Sequence, residues 1–184
     1  RFKFENYGFL IPKCRMFAVF FITFIIAGLI EAYWLVYPFF VLNVSGTVLN
    51  MGLVLASTGI FVSIITFLVN WFSDIRKARV EFAIIGVILN AAWYFAIGFT
   101  SPMYQIIVLS LLSGFASAFR LSWFVHYGDS FSRDHYASIL VMMETGLMIG
   151  RIMNLAPAYV FLSQSNYLGY FMLLGTIALS LIPL

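Results

Sequence analysis

The chain has 184 residues, of which 63% are hydrophobic and 9% charged. A soluble domain carries about 25% charged residues, so this composition excludes a water-facing globule and reads as an all-α integral membrane protein. The net charge of +3 is spread over short loops, which argues against nucleic acid as a partner, and the single cysteine, Cys14, excludes an intrachain disulfide or thiolate metal site.

Residues 1–15 mix aromatics with Arg1, Lys3, Glu5, Lys13 and Arg15. They are expected to form a cytoplasmic linker or a segment lying along the inner membrane surface. They show no apolar core followed by a small-residue cleavage site. The opening on Arg1 admits a piece of a longer polypeptide.

Residues 16–184 are expected to form a six-helix transmembrane domain. A span takes about 20 apolar residues at 1.5 Å rise each, and six segments qualify: 16–40, 46–72, 81–100, 103–127, 137–162 and 166–184. The first carries Glu31 about 15 residues in, roughly 22 Å along the helix. Tyr33, Trp34 and Tyr37 are expected at its outer interface, where amphipathic rings concentrate. Asn43-Val44-Ser45-Gly46 then breaks the chain. The second span is dotted with Ser57, Thr58, Ser63 and Thr66, which read mostly as packing residues that bond their own helix. A charged loop follows, Ser73-Asp74-Ile75-Arg76-Lys77-Ala78-Arg79.

The third span has no charge in its core and ends at Ser101-Pro102. The fourth contains the small-residue run Gly114-Phe115-Ala116-Ser117-Ala118 and, near its inner end, Arg120. Asp129, Arg133 and the two histidines, His126 and His135, mark the next charged edge. The fifth span holds Glu144, Arg151 and Asn154, with Gly146 and Gly150 in small-xxx-small spacing and Pro157 beyond. After Ser163-Gln164-Ser165-Asn166 comes the uncharged sixth span.

Every loop Lys and Arg falls on one side of this arrangement. The positive-inside rule makes that side cytoplasmic. Both termini are then cytoplasmic in a multi-pass protein of a plasma or inner membrane, and the three uncharged breaks face outward.

A charged side chain at bilayer depth costs about 2.5–3.5 kcal/mol on the insertion scale. Such groups therefore face one another, a bundle interior or a water-filled path. Glu31, Glu144, Arg151 and Asn154 are the candidate substrate or proton path. A carboxylate at the depth of Glu31 is a candidate proton-exchange group; the other reading is a standing ion pair with Arg151. Seven residues separate Glu144 from Arg151, about 10 Å along one helix face.

At the first charged loop the chain resembles one half of a major facilitator superfamily transporter. That family's loop between the second and third helices runs Gly, three residues, Asp, then a basic cluster. Here Asn70 stands at the Gly, Asp74 at the Asp, and Arg76, Lys77 and Arg79 form the cluster. Gly114 through Ala118 is similar to the small-residue end of the family's fourth-helix motif, with Ser110 where that motif has Arg. The missing Arg and the basic leader resemble a C-terminal half more than an N-terminal one.

The resemblance implies three helices plus an inverted three, with helices one, two, four and five lining a cavity. It implies alternating-access transport of a small solute, a second six-helix half as partner (in the same polypeptide or as a second copy), and no cofactor. Asp74, Arg76, Lys77, Arg79, Arg120, Asp129 and Arg133 would form a cytoplasmic gate. The alternatives are a channel and a non-transporting assembly or receptor subunit. An enzyme is not expected: Gly128-Asp129-Ser130-Phe131 is only superficially hydrolase-like, and no His pair has zinc-binding helical spacing.

Overall fold

The computed structural model describes residues 14–76, 79–100, 103–110, 112–114, 116 and 136–181. Among the described residues every regular element is helical. These are α1 (Cys14–Glu31), a 3-10 turn (Ala32–Leu35), α2 (Tyr37–Ser45), α3 (Val48–Arg76), α4 (Arg79–Gly98), α5 (Met103–Gly114), α6 (Tyr136–Ser163) and α7 (Tyr167–Leu179). They follow the six apolar segments in order. Three stretches are long and apolar enough to cross a membrane: Ala18–Ser45, Val48–Val69 and Ile139–Ser163. The apolar stretches Ile84–Gly98, Met103–Gly114 and Tyr167–Leu179 are shorter.

The first segment differs from expectation in two ways. It continues to Ser45, and it is not one helix. Regular winding stops at Glu31, tightens into the 3-10 turn, and resumes at Tyr37. Pro38, in the first turn of α2, has no N–H to return to the preceding turn and is tolerated only near a helix start. Gly46 ends α2 at φ 72°, donating its N–H to the Leu42 carbonyl at 2.9 Å. That left-handed conformation suits glycine because it has no Cβ. At the start of α7 the Asn166 side chain accepts the Gly169 N–H at 2.9 Å, a standard N-terminal cap.

Two helix pairs carry most of the packing, α1 against α6 and α4 against α7. Glycine sets the first contact. A Cβ on Gly150 would overlap the Ile25 carbonyl, one on Gly28 would overlap the Leu147 carbonyl, and one on Gly146 would lie 2.9 Å from the Phe24 Cβ. The small-residue spacing in α6 thus brings two backbones together, as it does in membrane bundles generally.

The second contact is aromatic and continues into α2. Trp93 of α4 meets Phe171 of α7 edge-on at a ring separation of 6.4 Å; Trp93 also meets Tyr33 and Tyr94 at 5.0 and 4.9 Å, and Phe40 of α2 meets Phe171 at 5.3 Å. Edge-to-face pairs add about 0.5–1.5 kcal/mol each beyond the area they bury. Tyr33 and Tyr37 thus pack into this core, and the apolar stretch runs eight residues beyond Tyr37. Trp34 alone of the three is largely exposed.

Helix α3 is the least covered. Leu49, Leu53, Ile60, Ile64, Phe67 and Trp71 all lie exposed along it. A row of large apolar side chains this long fits hydrocarbon or a partner helix, not water. Three of its hydroxyls bond to their own helix, Ser57 to the Leu53 carbonyl, Thr58 to Val54 and Ser63 to Gly59, at 2.7–2.9 Å. Bonded in this way, these three hydroxyls are satisfied within the helix and cost little in lipid.

Candidate functional site

The break in the first helix creates the polar centre of the molecule. Carbonyls in the last turn of a helix lose their regular partners from the following turn, and in a membrane each orphan costs several kcal/mol. Leu29 and Ile30 occupy that last turn of α1. The Leu29 carbonyl accepts the Asn154 side-chain N–H at 2.6 Å, and the Ile30 carbonyl accepts the Tyr94 hydroxyl at 2.8 Å. Asn154 is fully buried, and its own side-chain oxygen accepts the Tyr170 hydroxyl at 2.7 Å. Two helices, α4 and α6, thus supply side-chain bonds to the last turn of the broken helix, and Tyr170 of α7 holds the Asn154 side chain that makes one of them.

Beside these bonds stands the ion pair. Arg151 Nη2 lies 2.7 Å from Glu31 Oε2, and Arg151 Nη1 also approaches Met148 Sδ at 3.7 Å. Both side chains are about three-quarters covered, at 30% and 25% exposure. Glu31 is the 14th of the 28 residues in Ala18–Ser45, and Arg151 is the middle residue of Ile139–Ser163. Each charge is therefore as far from the ends of its apolar stretch as it can be. Such a position compels a partner, and each has found the other. The remaining exposure leaves one side of the pair open.

Of the expected path residues, the structure brings Glu31, Arg151 and Asn154 together. Asn154 sits one turn beyond Arg151 and holds the backbone just before Glu31. Glu144 stands apart. It is exposed on α6, about 7–8 Å of rise past Ile139, on the same open side as Val141 and Met148.

Among the expected gate residues, Arg76 is exposed at the end of α3. Lys77, Arg120, Asp129 and Arg133 lie outside the described residues, as do the side chains of Asp74 and Arg79. No group of three or more His, Cys, Asp or Glu positioned for a metal occurs among the described residues.

Tyr94 and Tyr170 are site residues that the sequence did not disclose. Tyrosines in an apolar sequence read as core or interface residues, and a backbone carbonyl needing a donor leaves no residue-type signature. Pro38 was the one available signal, since a proline well inside an apolar stretch announces a break upstream.

Comparison with family profiles, with curated proteins and with solved structures gave no match. Fold and site together define a helical membrane protein with a paired charge centre at a broken helix.

Proposed function

We propose that the chain is one six-helix half of a secondary carrier, on the plan of a major facilitator transporter, moving a small solute by alternating access. The observation that carries this reading is the Glu31–Arg151 pair, placed mid-span beside a discontinuous helix. Membrane carriers put substrate and coupling-ion sites near the bilayer midplane at broken helices, where backbone and side-chain polar groups are freed to bind cargo. Ion pairs in protein interiors often contribute no more stability than apolar residues of similar volume, so packing alone is a weak reason for this one.

In this reading the exposed side of the pair faces the path. The solute, or a proton taken by Glu31, competes for one member and loosens α1 from α6. Glu144 lines the inner approach, and Asp74, Arg76, Lys77, Arg79, Arg120, Asp129 and Arg133 close the cytoplasmic side. The uncovered faces of α3 and α6 meet the second half, from the same longer polypeptide or a second copy, and both termini lie in the cytoplasm of a plasma or inner membrane.

Proteoliposomes test this. The complete polypeptide, loaded with a pH-sensitive dye and offered a monosaccharide, a neutral amino acid, a dicarboxylate and an organic cation in turn, should show slow, saturable flux for one of them. Ohmic conductance without saturation would assign a channel instead, and no flux for any solute would assign an assembly subunit.

A further inference from the structure

Two hydroxyls arrive at the helix break beside the ion pair, from helices that contribute no charge to it. The apolar stretches Ile84–Gly98 of α4 and Tyr167–Leu179 of α7 contain no Asp, Glu, Lys or Arg, yet each sends one tyrosine oxygen to the break. Tyr94 donates directly to the Ile30 carbonyl, the residue immediately before Glu31. Tyr170 acts one step removed, fixing the Asn154 amide so that its N–H points at the Leu29 carbonyl. Both tyrosines and Asn154 are buried with almost no exposure.

The geometry ties the two main packing units together at this point. One unit is α1 with α6, held by backbone contact at Gly28 and Gly150; the other is α4 with α7. A carboxylate on the last residue of a helix inherits the scatter of that helix end, because terminal turns fray. Pinning the two carbonyls just before it removes the scatter. The amide assignment follows from the bonds: with Tyr170 donating to the oxygen, only the nitrogen remains to donate to a carbonyl.

We propose that Tyr94 and Tyr170 are positioning residues for the charge centre, holding Glu31 within reach of Arg151 through the carbonyls of Ile30 and Leu29. The role rests on the reading that the pair works in transport. Its geometry is testable without any transport assay.

The test is a mutant cycle read by thermal melting of the purified polypeptide in detergent. Glu31→Gln, Arg151→Gln and the double variant are compared in the parent background, then in Tyr94→Phe, in Tyr170→Phe and in both together. Phenylalanine keeps the ring packing and removes only the oxygen. In the parent, the Tm shift of the double variant should be well short of the sum of the two single shifts. In the phenylalanine backgrounds that shortfall should fall by at least half, most in the combined one. An unchanged shortfall would overturn the proposal, since hydroxyls that merely support packing lower every melting point and leave the coupling intact. Additive shifts already in the parent would overturn it equally. The single tyrosine backgrounds decide the matter if the combined one does not fold. Solute flux through the same variants bears on the transport reading alone, so the two can fail separately.

Discussion

Arg151 on α6 reaches Glu31 on α1 at 2.7 Å, and the two α-helices carrying them touch backbone to backbone one turn away. The close approach and the ion pair are one arrangement. Without glycine at positions 28 and 150 the axes would stand further apart, and a bridge of this length would need both side chains more extended.

Breaking the pair on one side should cost more than removing it altogether. Glu31→Gln or Arg151→Gln leaves the opposite charge without its partner near mid-span. A loss of about 2 kcal/mol is expected, between the ~3–5 for a buried pair broken on one side and the ~1 or less of an exposed one. The double variant should recover most of it. Chemical or thermal denaturation in detergent measures all three.

Gly150→Leu should be among the most damaging changes in the chain. The new side chain meets the Ile25 carbonyl and the Leu29 amide nitrogen, both backbone atoms that cannot rotate aside. A cost of about 3 kcal/mol is expected, seen as poor recovery of folded protein and a lowered melting point. Gly52→Leu is the comparison for the α1–α6 contact, because nothing described lies within 4 Å of its Cβ position, and it should melt well above Gly150→Leu.

Asn154→Leu fills the same space but supplies no polar group. It leaves the Leu29 carbonyl and the Tyr170 hydroxyl without the bonds they make in the parent. Destabilisation of about 1–2 kcal/mol is expected, and Tyr170→Phe added to Asn154→Leu should cost little more. Two separate, additive losses would show that the two side chains act independently.

Glu144 and Glu31 should respond differently to the same neutralisation. Glu144 is exposed on the open side of α6, so Glu144→Gln should leave the melting temperature within about 1 °C of the parent while reducing flux. Glu31→Gln should lower both.

The inside-positive arrangement predicts accessibility. Cysteines at Ser45, Ser101 and Ser165 should react with an impermeant thiol reagent from outside intact cells, and one at Ala78 only after permeabilisation. The opposite pattern would invert the orientation.

The helices were legible because membrane-length apolar runs separated by short polar breaks admit few other folds. Glu31, Glu144, Arg151 and Asn154 stood out together because ionisable and amide groups are rare in such runs, and nothing in their spacing separated Glu144 from the three that meet. The similar depth of Glu31 and Arg151 made their pairing one of two readings, beside a proton-exchanging Glu31, and did not choose between them. The break after Glu31 was less visible, since Ala32–Leu35 has nothing unhelical in its composition and the cause lies downstream at Pro38. Tyr33 and Tyr37 were expected at an interface from their residue type; their rings pack into the aromatic core, and the apolar stretch ends at Ser45 rather than residue 40. Tyr94 and Tyr170 were invisible for a different reason: their partners are a backbone carbonyl and an amide brought near by tertiary packing, and neither is encoded in a spacing.

Whether the charge pair is working machinery or only a fastener is decided by flux through the Glu31→Gln/Arg151→Gln double variant in proteoliposomes. With both charges gone the structural penalty is largely removed, so the protein should fold and melt close to the parent. If the pair serves transport, saturable flux of the transported solute should be lost nonetheless, at least tenfold below the parent. Normal flux through a well-folded double variant would contradict the account and reduce Glu31 and Arg151 to a clasp between α1 and α6.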